Sequence, residues 1–129
     1  MLDIDFRSRK PIYEQLVDQI KEMIVSGVLK GGEQLPSVRV LAQQLTVNPN
    51  TIQKAYRELE RIGYIYSIQG KGNFVSEKIE ASNQEELKIV KENLQKLAQQ
   101  ALFLGMQSDE LLQIMEEIIK DHQGGKRDD

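Results

Sequence analysis

Residues 35–59 read LPSVRVLAQQLTVNPNTIQKAYREL, an apolar pattern of helical period broken by Asn48, Pro49 and Asn50. Proline lacks an N–H and steers the residue before it away from helical angles, so a single helix cannot run through. The break is also a start, because asparagine is a preferred N-cap and proline suits the first helical position. The chain is therefore committed to two helices that meet at a short turn. In the second of them Ile52, Ala55, Tyr56, Leu59 and Ile62 share one face, which leaves Asn50, Thr51, Gln53, Lys54, Arg57 and Arg61 towards solvent. Amides, a hydroxyl and cations suit a major groove, where base edges offer donors and acceptors and phosphates attract Lys and Arg. An ordinary solvated helix face has a similar composition, so the flanking segments must decide.

Upstream, Pro11 fits the first turn of a helix in which Ile12, Leu16, Ile20, Met23 and Ile24 recur until Ser26 and Gly27 end it. Ser37 then caps a short helix with Val38, Leu41, Ala42 and Leu45 on one face. Downstream, Gly63 closes the third helix, YIYSI (64–68) is a β-branched and aromatic run, QGKG follows, and NFV (73–75) returns. A tip of Gly70, Lys71 and Gly72 brings backbone and one cation near a phosphate or a minor groove. The expected unit is a helix-turn-helix followed by a β-hairpin wing. Tyr56 and Tyr64 are expected to pack with their hydroxyls at the surface. Arg57 and Arg61 are expected to pair with neighbouring glutamates or face water, outside the site.

The order of motifs resembles the GntR family of bacterial winged helix-turn-helix regulators, in particular its short YtrA-like branch. PIYEQ (11–15) and residues 26–75, with LPSVRVLA, NPNT, KAYRELE and GKG at matching intervals, carry the resemblance. It implies a DNA-contacting arginine at Arg39 with Ser37 beside it, where a surface ion pair is the plain alternative. It implies recognition-helix contacts at Asn48, Asn50, Thr51, Gln53 and Lys54, and a wing tip at Gly70 to Gly72. Gly31 stands where the family often has proline, which would loosen that loop, and Asn73 stands where it often has Thr or Ser. The resemblance further implies a homodimeric repressor on a pseudo-palindromic operator, often encoded beside transporter genes.

The second half is a different object. Leu87, Val90, Leu94, Leu97, Ala101 and Leu104 follow alternating three- and four-residue steps, the seam of a coiled coil. Gly105 is a helix stop, and Ser108 with Asp109 and Glu110 is a start, leading into Leu111, Leu112, Ile114, Met115, Ile118 and Ile119. Two such helices cannot bury this much apolar surface between themselves. A partner must cover Leu87, Val90, Leu94, Leu97, Ala101, Leu104, Leu111, Met115 and Ile118; the winged domain of the same chain is one candidate, and the family resemblance implies a second copy instead.

The expected architecture is mainly α with a small β-hairpin: a winged domain (1–78), a helical dimerisation hairpin (79–121) and a disordered tail (122–129). The net charge of −3 hides an asymmetry, since residues 1–79 hold 11 Lys+Arg against 9 Asp+Glu (+2) and residues 80–129 hold 6 against 11 (−5). A polyanion-binding surface belongs to the first half. The 129-residue chain has no cysteine and a single histidine, His122, in the expected tail, which leaves no catalytic or metal-binding set. No membrane span or signal peptide is evident, so a cytoplasmic regulator is expected, with duplex DNA as partner and no cofactor. A small-molecule effector is compatible with the sequence and not indicated by it. The competing class is a winged helix used for protein assembly, which needs no polar recognition helix.

Overall fold

The computed structural model describes residues 2–77 and 84–127. The chain divides into two compact units, Met1–Asn83 and Gln84–Asp129. The boundary expected at 78/79 lies outside the described residues.

The first unit contains α1 (Ile12–Val25), α2 (Val38–Leu45), α3 (Pro49–Arg61), β1 (Ile65–Ile68) and β2 (Gly72–Val75). Pro11 occupies the N-cap of α1, one position earlier than the first turn, and its carbonyl receives the Gln15 N–H at 3.1 Å. Ser37 caps α2 as expected: its Oγ accepts from Val40 N at 3.1 Å. α2 ends at Thr46, whose φ of 55° is left-handed, while Val47 N donates back to the Ala42 carbonyl at 3.0 Å. Asn48 Oδ1 then accepts from Asn50 N at 2.8 Å and Pro49 opens α3. The turn thus comprises Thr46, Val47 and Asn48.

Leu16, Ile20, Ile52, Leu59, Ile65 and Val75 are fully buried and draw one residue or more from α1, α3 and both strands into one core. Each such side chain is worth about 1.5–3 kcal/mol on burial. The strands pair antiparallel, with Ile65 opposite Val75 and Ile68 opposite Gly72. Tyr66 and Phe74 face each other across the ladder with ring centroids 5.7 Å apart. On the far side of β2 the segment before α2 adds further backbone bonds: Gly32 N to Val75 O, Val75 N to Glu33 O and Leu35 N to Asn73 O, at 2.8–2.9 Å. Gly31 lies close against the backbone at Glu77. A Cβ there would stand 3.0 Å from the Glu77 Cα and 2.7 Å from its Cγ, so glycine lets the two backbones close up.

The expected surface position of the Tyr56 hydroxyl is corrected. Tyr56 is 3% exposed and its hydroxyl donates to the Pro36 carbonyl at 2.7 Å, because a ring in the buried stripe can keep its polar end only by finding an internal acceptor. Tyr64 is half-buried, with the Lys21 ammonium over its ring at 5.3 Å.

The second unit consists of α4 (Gln84–Phe103) and α5 (Ser108–Arg127), joined by a four-residue turn in which Gly105 has φ +104°. No residue of α4 is buried. α5 runs through Arg127, over part of the segment expected as a tail from residue 122. Once a helix of several turns exists, each added residue gains a hydrogen bond without a new nucleation step. Residues 128–129 lie outside the described residues.

Candidate nucleic-acid interface

The first half of α3 presents Asn50, Gln53 and Lys54 to solvent, with Thr51 half-buried beside them. They stand clear because Ile52, Ala55, Tyr56 and Leu59 take the opposite face into the core. The Asn50 and Gln53 side chains keep open amides, the groups that can bond base edges in pairs. Asn48 has spent its oxygen on the cap and retains its amide nitrogen as a donor. Ser37 likewise spends its oxygen as an acceptor and keeps a hydroxyl proton for an outside anion.

Arg39 is exposed on the first turn of α2 and has no carboxylate partner among the described residues. The Lys54 Nζ lies 3.9 Å from the centroid of the Tyr13 ring, on α1. That contact still leaves an ammonium with room for further acceptors. Burial and the neighbouring Glu14 carboxylate, which receives the Tyr13 hydroxyl at 3.3 Å, raise the Tyr13 pKa. Arg61 pairs with Glu58 in a forked contact, Nε to Oε2 at 2.9 Å, and this pairing holds the Glu58 carboxyl below its ordinary pKa. Arg57 remains exposed in line with Asn50 and Gln53.

The wing tip is built as the sequence indicated, with Gly70 at φ +79° and Gly72 at φ +115°, flanking an exposed Lys71. Gln34 is a residue that sequence reasoning missed. Its Nε2 donates to the Lys71 carbonyl at 2.7 Å, and a Cβ on Gly72 would come within 3.0 Å of that nitrogen. The pairing joins positions 37 apart in the chain and has no local signature. Ser67 Oγ also donates to Glu60 Oε2 at 2.8 Å, which ties β1 to α3.

The model for bacterial regulatory proteins of the gntR family matches residues 12–75. The repressor YtrA of Bacillus subtilis (strain 168) is 42% identical over 130 residues and covers the whole of both chains. The chain belongs to the GntR family. Among solved GntR structures, YtrA from Sulfolobus acidocaldarius superposes with a TM-score of 0.62 at 36% identity, covering 92% of this chain and 97% of that one. The DNA-binding domain of AraR in complex with operator ORX1 matches 58% of this chain and 96% of its own, with a TM-score of 0.53 and 32% identity. This GntR protein is accordingly a transcription regulator with a DNA-binding winged domain, not an enzyme. Among the described residues no helix is long and apolar enough to cross a membrane.

Proposed function

We propose that the protein is a homodimeric repressor that binds a pseudo-palindromic operator through two copies of α3, each entering a major groove. The observation that carries this reading is the exposed, amide-rich first half of α3, in a unit that also exposes Lys71 at the wing tip and an Arg39 without a carboxylate partner among the described residues. Asn50, Gln53 and Thr51 read base edges, Asn48 and Ser37 donate to backbone oxygens, and Arg39, Lys54 and Lys71 neutralise phosphates. Gly70 and Gly72 let the wing backbone approach the duplex. The operator named with the AraR domain supports DNA as the partner. Work on DNA sets the protein in the cytoplasm, and likeness to the YtrA-like branch makes a transporter operon the first target to examine.

The second copy is recruited by Leu87, Val90, Leu94, Leu97, Ala101, Leu104, Leu111, Met115 and Ile118. Leu87, Leu97 and Leu104 are 59%, 63% and 75% exposed in the single chain, which leaves a long apolar seam without cover. Ala101, Leu111 and Met115 are half-buried within the hairpin and back that seam.

The test is a comparison of two duplexes, one selected from a random pool for tight binding and one of random sequence. Gln53→Ala or Asn50→Ala should weaken binding to the selected duplex by about 1–3 kcal/mol and to the random duplex far less. Equal losses on both would remove direct readout by α3.

A further inference from the structure

Among the described residues, Gln15 is the buried polar side chain of the first unit, 8% exposed on the core side of α1. A buried amide is unfavourable unless its groups are paired, and here they are. Its Oε1 accepts from Asp5 N at 2.9 Å, while Nε2 donates to the carbonyls of Asp5 at 3.0 Å and Lys10 at 2.9 Å. One side chain therefore clamps both ends of the loop Asp5–Lys10. Inside the loop Arg7 N donates to Asp5 Oδ1, Ser8 N to the Asp5 carbonyl and Lys10 N to Ser8 Oγ, at 2.9, 3.3 and 3.1 Å.

The fixed loop holds up cations. Arg7 and Arg9 are exposed and have no carboxylate partner among the described residues, whereas Lys10 pairs with Asp18. The location follows from Tyr13, whose ring lies under the Lys54 ammonium of α3. Arg9 is four residues before Tyr13, a span of at most about 14 Å, comparable with the roughly 12 Å width of a major groove. Tying down the N-terminal segment does not require this loop. Gln19 does so one turn later, accepting from Asp3 N at 2.7 Å and donating to the Asp3 carbonyl at 2.6 Å.

We infer that the loop Phe6–Lys10 is a second phosphate-binding element, in which Arg7 and Arg9 bond the DNA backbone beside the groove that α3 enters, and Gln15 is their positioning residue. The inference rests on the proposed DNA reading and adds contacts outside the helix-turn-helix and wing. Both guanidinium groups bind phosphate without regard to sequence, so their effect falls on all duplexes alike.

The experiment is a salt titration of the full chain by fluorescence anisotropy on a random-sequence duplex and on a duplex selected from a random pool. The Arg7→Gln/Arg9→Gln double variant should show a slope of log affinity against log salt shallower by about 0.9 per lost contact. Near 0.1 M salt its affinity should fall roughly ten-fold per arginine, by the same factor on both duplexes. Gln15→Leu, which refills the core, should reproduce part of that flattening with both arginines present. Arg7→Lys/Arg9→Lys should restore most of the slope. An unchanged slope in the Arg7→Gln/Arg9→Gln variant overturns the inference, and a full slope in Gln15→Leu overturns the positioning role. Gln53→Ala run alongside separates the two readings. If it weakens the selected duplex while the arginine variant changes nothing, the loop fails alone. If the arginine variant flattens the slope while Gln53→Ala is silent, readout by α3 fails and the loop stands.

Discussion

Tyr56 serves two ends with one side chain. Its ring fills the core beneath α3, and its hydroxyl bonds the carbonyl of Pro36, directly before the Ser37 cap. Burial pushes the phenol pKa from 10.0 up to about 12. The folded chain thus keeps this proton to a higher pH than the unfolded chain does. The resulting stability is fully present below the unfolded pKa and is lost as pH rises from about 10 towards 12, by at most about 1.4 kcal/mol per pH unit. Tyr56→Phe should lower stability at neutral pH by about 1 kcal/mol, since a neutral hydrogen bond disappears, and should flatten this alkaline decline. Denaturation midpoints followed from neutral pH to above 10 would measure both; a decline of unchanged steepness in the variant would assign it to other groups.

The turn between α2 and α3 was legible because its causes are local. Caps at Ser37 and Asn48, Pro49 at the helix start and the alternation of apolar faces all act within four residues, and each stands where the sequence indicated. The wing was legible for the same reason, through its β-branched run and the glycines at the tip. What escaped were contacts between distant positions: Lys54 on Tyr13, Gln34 on the wing tip, Tyr56 on Pro36 and the Gln15 clamp. Each side chain there has several chemically equal partners, and packing alone chooses among them. The turn also carries a local conflict, since Thr46 is β-branched and sits at φ 55°. Such residues resist the left-handed region, which asparagine tolerates. Thr46→Asn should stabilise the winged unit by roughly 0.5–1 kcal/mol and raise its melting temperature by a few degrees, with DNA affinity unchanged. Calorimetry would check it, and a lower melting temperature would mean that Thr46 makes compensating contacts.

At the scale of the whole molecule, the two units differ in how much of their apolar surface they can cover. The winged unit closes over its own core, whereas Leu94 and Leu97 of α4 are 47% and 63% exposed. Leu94→Glu or Leu97→Glu would set a carboxylate in the proposed seam, unfavourable by several kcal/mol if it stays buried and unpaired. The expected result is a monomer by sedimentation, with a folded winged unit and operator affinity lower by orders of magnitude, because two linked sites reinforce each other through effective concentration. A variant that sediments as a dimer would exclude the hairpin as the joining element. The opposite charges of the two halves, +2 over residues 1–79 and −5 over residues 80–129, bear on the moments before any contact forms. A duplex is a rod of negative charge, and its field draws one half in while pushing the other away. Encounters led by the winged unit are then favoured over encounters led by the helical one. At physiological ionic strength that bias acts over only about 8 Å, so added salt shortens the reach of the steering.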